Sequence, residues 1–106
     1  MTLVQLRHFV VLAAFGSYVQ ASKALFLTQP ALTRSIQSLE DELGGALFNR
    51  LGRRITLTPL GTEVLQRAQR LVSDADTLKQ TGKELHAGLS GHLRMGLRSE
   101  EHTSEL

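Results

Sequence analysis

The sequence predicts a mostly α-helical fold in which three short helices and a β-hairpin precede one long C-terminal helix. Helix-capping residues recur through the first half of the chain, and two β-prone runs flank a glycine-containing tip. Apolar residues then repeat with heptad spacing between residues 64 and 89. With 106 residues, of which 42% are hydrophobic and 21% charged, the chain has room for one small domain and one long additional element.

Capping residues mark the first two helices. Thr2 and Gln5 match a capping box, and Gly16 ends the helix that follows them. Ser17 and Gln20 repeat the capping-box spacing at the start of the second helix. The residues predicted to form the inner sides are Leu3, Leu6, Val10 and Ala13 in the first helix and Ala21, Ala24 and Leu25 in the second.

A third helix follows after a very short connection. Thr28 is its predicted N-cap, Pro30 fits its first turn, and Gly44 and Gly45 end it. Only residues 26–28 separate helices two and three, which forces a sharp angle between their axes, as in a helix-turn-helix. The apolar stripe of the third helix is Leu32, Ile36, Leu39 and Leu43.

The next segment predicts a hairpin with a basic tip. Residues 47–50 and 55–57 are β-prone and flank residues 51–54, which include Arg53 and Arg54. A hairpin behind a helix-turn-helix is a wing. Residues 1–61 carry six basic groups against three acids, and those acids are consecutive at 40–42, where a solvated helix end is expected. This excess permits nucleic-acid binding without demonstrating it.

The long helix is predicted over residues 59–87, with Thr58 as its N-cap and Pro59 in its first position. Its apolar residues recur in steps of four and three, which is a coiled-coil pattern. Because one helix cannot cover such a stripe in water, a partner helix is expected. The predicted dimer interface is Val64, Ala68, Leu71, Ala75, Leu78 and Leu85.

One face of the third helix is polar. Pro30, Thr33, Arg34 and Gln37 are spaced i, i+3, i+4 and i+7, away from the apolar stripe. Glutamine can pair with adenine and arginine with guanine or phosphate, while threonine or proline can contact a thymine methyl. An ordinary solvated face explains these residues equally well on their own. The tight turn before the helix and the basic hairpin after it favour DNA recognition.

The hairpin arginines have two readings as well. Arg53 and Arg54 could simply blunt an exposed sheet edge. Behind a helix-turn-helix, however, a wing arginine can enter the narrow, electronegative minor groove.

Several sequence motifs lie at fixed spacing along residues 1–96. They are Leu6-Arg7-His8-Phe9, Gly16-Ser17-Tyr18, Ala21-Ser22-Lys23-Ala24-Leu25, Thr28-Gln29-Pro30-Ala31-Leu32-Thr33-Arg34-Ser35-Ile36, Leu39-Glu40-Asp41-Glu42-Leu43-Gly44, Leu47-Phe48-Asn49-Arg50 and Arg53-Arg54-Ile55-Thr56-Leu57-Thr58-Pro59-Leu60-Gly61. Together they resemble the N-terminal part of a LysR-type transcriptional regulator. Ser22, Ala24 and Phe26 depart from the family pattern, which usually has alanine at the first position and polar residues at the other two.

The resemblance implies a winged helix-turn-helix over residues 1–58 and a linker helix over residues 59–87 that pairs antiparallel in a homodimer. Double-stranded DNA is the implied partner, and a higher oligomer is expected only where an effector domain is present. The DNA-binding residues predicted from the face, the wing and the resemblance are Thr28, Gln29, Pro30, Thr33, Arg34, Gln37, Arg50, Arg53 and Arg54. A coiled-coil interaction module without specific DNA reading is the alternative.

The end of the chain is expected to differ from the family. Residues 88–97 are predicted as a linker and the orphaned first strand of a ligand-sensing effector domain, so the chain is expected to be truncated and to respond to no small-molecule inducer. Residues 98–106 resemble the translation of a sequencing-library adapter. They are expected to be a disordered, non-native tail.

Several functional classes are not expected. The chain has no cysteine, which excludes disulfides and thiolate zinc sites. Its four histidines lack metal-ligand spacing, and no nucleophile elbow or phosphate loop occurs, so neither an enzyme nor a cofactor is expected. The longest apolar run, from Phe9 to Phe15, is far too short to span a membrane. With no secretory signal expected either, the predicted location is cytoplasmic.

Overall fold

The computed structural model describes the backbone of residues 1–51 and 54–94 and the side chains of residues 1–50 and 54–88. Its elements are α1 (Leu3–Phe15), α2 (Tyr18–Leu25), α3 (Gln29–Leu43), β1 (Phe48–Leu51), β2 (Arg54–Leu57) and α4 (Pro59–Arg94). This order confirms the predicted mostly helical, winged helix-turn-helix architecture. The predictions for Arg53 and for residues 95–106 lie outside the described residues.

The chain divides into two compact units, Met1–Ser73 and Asp74–Leu106. The first unit holds α1 to α3, both strands and residues 59–73 of α4. The described part of the second unit is residues 74–94, which continue the same helix.

Local hydrogen bonds confirm the predicted helix starts. In the α1 capping box, the Gln5 amide donates to Thr2 Oγ1 and the Thr2 amide donates to Gln5 Oε1. Both donor–acceptor distances are 3.1 Å. Ser17 caps α2 by accepting from the Gln20 amide. Thr28 caps α3 by accepting from the Ala31 amide, so each of the first three helices begins at the predicted residue.

Three helices and the hairpin enclose the core of the first unit. The side chains of Phe9, Leu12 and Leu32 are completely buried, and Phe9 meets Phe48 edge to face at a centroid distance of 5.4 Å. Polar contacts join α1 to α3: His8 Nδ1 lies 2.7 Å from Ser35 Oγ, and the N-terminal ammonium pairs with Glu42. The start of α1 therefore lies beside the end of α3.

The inner faces of α1 and α2 differ from the prediction. In α1 the buried residues are Leu6, Phe9 and Leu12, whereas Leu3 is exposed. Most residues of α1 are apolar, so their spacing did not single out one face. In α2, Ala24 is exposed and Ser22 is buried with its hydroxyl donating to the Val19 carbonyl. Residues 18, 21, 22 and 25 share the inward side of this short helix, and residue 24 lies about 100° away from its centre.

The hairpin is antiparallel and anchors the start of α4. Its register runs from Phe48 opposite Leu57 to Leu51 opposite Arg54. Thr58 follows β2, and its hydroxyl donates to the Ala46 carbonyl and accepts from the Gly61 amide, which confirms Thr58 as the α4 N-cap. A Cβ added at Gly61 would lie 2.1 Å from the Leu47 carbonyl oxygen, so only glycine permits this approach.

The three acids at residues 40–42 were predicted to form a solvated helix end, but one of them makes a structural contact. Glu40 is half-buried, and its Oε2 accepts from the Leu47 amide at 2.8 Å. The carboxylate therefore holds the chain where α3 turns into β1. This contact joins residues seven positions apart across a turn, which the spacing of charges does not predict.

The long helix extends further than predicted. It continues to Arg94, where a linker from residue 88 and a strand were expected. Gly88 and Gly91 are isolated glycines, and without a proline or a capping residue each lowers helix stability by only about 1 kcal/mol relative to alanine. Two single glycines therefore do not end a long helix.

The first turns of α4 belong to the core of the first unit. Ala68 is 1% exposed and Val72 is 8% exposed, and Val64 and Leu65 pack against the same cluster. Ala68 is therefore a core residue of its own chain, which removes it from the predicted dimer interface. The heptad pattern could not distinguish burial within the chain from burial against a partner, because both require the same apolar stripe.

Candidate nucleic-acid interface

The N-terminal half of α3 presents polar side chains from a rigid base. Leu32, Ile36 and Leu39 on its inner face are at most 1% exposed, so the helix is fixed against the core. On the other side, Gln29, Pro30, Arg34 and Gln37 are exposed, Thr33 is half-buried, and the N-cap Thr28 is exposed. The six residues predicted for this helix therefore share an accessible face.

The charges along α3 are unevenly distributed. Its first turn contains no acidic residue, and Arg34 follows within the next turn. The acids are confined to residues 40–42 at the other end. Because unpaired amides give a helix N-terminus partial positive charge, this distribution makes the first half of α3 attractive to anions such as phosphate.

Arg50 is held in place by a tyrosine from another element. Its Nη2 donates to the Tyr18 hydroxyl at 3.0 Å, and its guanidinium carbon lies 5.1 Å from the centre of the Tyr18 ring. Tyr18 is the first residue of α2 and Arg50 lies in β1, so the pair connects the helix-turn-helix to the hairpin. The guanidinium remains exposed and able to contact a phosphate.

The other predicted wing residues are only partly described. Arg54 is exposed at the start of β2. Arg53 lies outside the described residues. The structure thus brings Arg50 and Arg54 to one hairpin, whose two strands pair along their length.

Two residues near this surface were not predicted as part of it. Tyr18 lies within one of the family motifs, but nothing in its spacing predicts a contact with Arg50. Phe26 departs from the family pattern, and it is 95% exposed in the turn between α2 and α3. A large apolar residue in a turn that needs no apolar side chain is the feature of the sequence that could have indicated Phe26 as part of this surface.

The described residues contain no cluster of three or more potential metal ligands. Among the same residues, no helix is long and apolar enough to cross a membrane.

Comparisons with known proteins agree with this geometry. Residues 3–62 match the family model for bacterial regulatory helix-turn-helix proteins of the lysR family. An SDS degradation transcriptional activation protein from Pseudomonas sp. is 46% identical over 92 residues, which cover 87% of this chain and 30% of that protein. The transcriptional regulator BudR from Klebsiella aerogenes is 35% identical over 101 residues, covering 95% of this chain and 71% of BudR.

Solved structures show the same fold. A crystal structure of a BenM DBD–catB site 1 DNA complex superposes with a TM-score of 0.78 at 38% identity, covering 83% of this chain and 95% of that one. Full-length CbnR in complex with its target DNA superposes with a TM-score of 0.72 at 35% identity, covering 78% of this chain and 29% of CbnR. The matched part of the chain thus spans about 30% of the length of the SDS degradation transcriptional activation protein and of CbnR, and 71% of BudR. The chain belongs to the lysR family of bacterial regulatory helix-turn-helix proteins.

Proposed function

We propose that the chain binds double-stranded DNA sequence-specifically, with the N-terminal half of α3 in the major groove and the hairpin beside it. The observation that carries the proposal is the exposed polar face of α3, which lies opposite a completely buried face. Rigid support of this kind holds side chains in the geometry that base reading requires. The BenM and CbnR structures, which share the fold, are DNA complexes.

The exposed residues fall into two roles. Gln29 and Arg34 can read base edges by paired hydrogen bonds, and Thr33 and Pro30 can contact thymine methyl groups. Arg50 and Arg54 are proposed to contact phosphates, which would fix the orientation of the domain on the duplex. Arg53 is proposed as the minor-groove contact of the wing. Gln37 lies two turns along α3 from Pro30 and extends the same face.

We also propose that α4 pairs two copies of the chain. Leu71, Leu78 and Leu85 are spaced by seven residues and are 51%, 73% and 62% exposed. Ala75 lies between them on the same stripe, whereas Val64 contacts the core of its own chain. Large apolar side chains at this spacing are typical of a coiled coil, and pairing would bring two recognition helices to two half-sites. The proposed organisation is a DNA-reading part over residues 1–58 followed by a pairing helix.

The relatives are transcriptional regulators, so the proposed role of DNA binding is transcriptional regulation rather than an enzymatic reaction.

Base reading is tested by a substitution on the exposed polar face of α3. A preferred duplex is first selected from random sequence with the purified chain. We expect Gln29→Ala to lose about 1–3 kcal/mol of binding free energy on that duplex and much less on random duplex. Gln69→Ala, at an exposed position of α4, is the matched control and should bind like the unsubstituted chain. Equal losses on both duplexes would contradict base reading by Gln29.

Salt dependence separates the proposal from a coiled-coil module that does not read DNA. Phosphate contacts release counterions, so the logarithm of the association constant should fall steeply with the logarithm of salt concentration. A shallow slope, together with the absence of a preferred duplex, would favour the coiled-coil alternative.

A further inference from the structure

Phe26 carries an aromatic ring whose exposure the fold itself does not explain. Its side chain is 95% exposed, although phenylalanine is among the residues that most favour burial. Its backbone has φ 57° and ψ 41°, and among the described residues it is the only one other than glycine with a positive φ. A bulky side chain in this left-handed region is strained.

The backbone at this position has a clear structural role that the ring does not share. The Phe26 amide donates to the Lys23 carbonyl at a distance of 3.2 Å, and the Leu27 amide donates to the Ser22 carbonyl at 2.9 Å. These bonds end α2 and turn the chain towards α3, and they require the left-handed conformation. Glycine or asparagine would adopt that conformation with less strain. The turn therefore needs the backbone of residue 26 but no aromatic ring.

The position of Phe26 puts its ring beside the proposed DNA surface. It precedes the N-cap Thr28 by two residues, so their Cα atoms are at most about 7.6 Å apart. Leu25 and Leu27 on either side are half-buried and pack against the core, which fixes the turn and leaves the side chain between them outside. Thr28, Gln29 and Pro30, which follow at the start of α3, are all exposed.

We propose that Phe26 is a DNA-contacting residue, whose ring packs on apolar surface at the edge of the major groove. This inference rests on the proposed function. The ring carries no charge and cannot replace a basic residue at a phosphate, so its partners are the thymine 5-methyl group or the C–H face of a deoxyribose. Strained backbone conformations cluster at functional sites and persist where the surrounding structure holds them, as the two hydrogen bonds that end α2 do here.

The test separates binding from folding because Phe26→Asn suits the turn. Asparagine tolerates the left-handed conformation, so the unfolding free energy of this variant should equal or exceed that of the unsubstituted chain. Its Kd for the selected duplex should nevertheless rise about fivefold to tenfold, the change expected when roughly 50 Å² of buried apolar contact is lost. Phe26→Tyr keeps the ring and should bind nearly as tightly as the original.

Val4→Asn is the matched control. Val4 is 61% exposed in α1, close to the N-terminal ammonium that pairs with Glu42 at the far end of α3. Because α3 is 15 residues long, Val4 lies about 20 Å from the N-terminus of α3. We therefore expect Val4→Asn to leave the Kd unchanged.

Modified duplexes identify the partner of the ring. If the partner is a thymine methyl, replacing that thymine by uracil should weaken binding by the unsubstituted chain and have no effect on Phe26→Asn. If it is a deoxyribose, no uracil substitution should distinguish the two proteins, and the loss in Phe26→Asn should be equal on random duplex.

Unchanged duplex binding by Phe26→Asn, in a preparation whose parent chain binds, would overturn this inference alone. Failure of the parent chain to bind any duplex would overturn the proposed function together with it.

Discussion

At the scale of single residues, a few polar side chains fix how the elements of the first unit contact one another. Tyr18 holds Arg50 at the hairpin, His8 meets Ser35 between α1 and α3, and Glu40 accepts the Leu47 amide where α3 turns into β1. Each contact connects residues from different elements or across a turn. Changes at these positions should therefore affect the geometry of the surface as well as stability.

Tyr18 is a positioning residue for Arg50. Tyr18→Phe keeps the ring under the guanidinium but removes the hydroxyl that accepts its hydrogen bond. We expect the loss of one such bond to weaken duplex binding by about 0.5–1 kcal/mol, or twofold to fivefold, equally on preferred and random duplexes.

The salt dependence distinguishes positioning from a lost charge. Tyr18→Phe should leave the slope of binding against salt unchanged because Arg50 is still present. Arg50→Ala should reduce the slope by about one. A loss in Tyr18→Phe confined to the preferred duplex would contradict this role.

His8 should make the stability of the fold depend on pH. Burial lowers the pKa of His8 below its ordinary value of 6.5, so the unfolded chain takes up a proton before the folded one does. The contribution of neutral His8 to the unfolding free energy is therefore fully present above pH 6.5. It is lost as the pH falls towards the pKa of His8 in the folded state.

Urea unfolding at pH 5.5 and pH 7.5 measures this effect. We expect His8→Gln to reduce the loss of unfolding free energy between the two pH values. His86→Gln, at an exposed position of α4, serves as the control and should retain the loss seen in the original chain. An identical loss in His8→Gln would show that other groups cause it.

At the scale of elements, the start of α4 depends on a glycine and its end does not. Gly61→Ala should lower the unfolding free energy by about 1–3 kcal/mol, because its Cβ would collide with the Leu47 carbonyl. Gly88→Ala is the matched change in the same helix, where an added Cβ meets nothing within 4 Å.

Circular dichroism and chemical unfolding report the two outcomes. Gly88→Ala should raise the unfolding free energy by up to about 1 kcal/mol and slightly increase helix content, since alanine is the better helix former. A decrease in helix content would contradict the continuation of α4 beyond residue 87.

At the scale of the whole molecule, the proposed dimer depends on the exposed leucines of α4. Replacing Leu71 and Leu78 together by aspartate should halve the mass measured by sedimentation and strongly weaken binding to a duplex with two half-sites. The control is a variant in which Ser73 and Gln80 are both replaced by aspartate. It adds the same charge on the opposite side of the helix and should leave the mass unchanged. An unchanged mass in the double leucine variant would rule out this interface.

The sequence alone determined the features that depend on neighbours within one or two turns. The caps at Thr2, Ser17, Thr28 and Thr58 are confirmed because the hydrogen bonds that define them join residues three positions apart. The order of elements and the buried stripe of α3 follow from the same short-range periodicity. The motifs also identified the family correctly.

The tertiary structure decided which apolar residues are covered and which long-range contacts form. Ala68 lies in the same heptad stripe as Leu71, yet only Ala68 is buried by its own chain. Ser22 rather than Ala24 faces inward, and Glu40 holds the Leu47 amide. Burial and these contacts depend on segments distant in sequence, and periodicity within one element carries no information about which neighbour covers it.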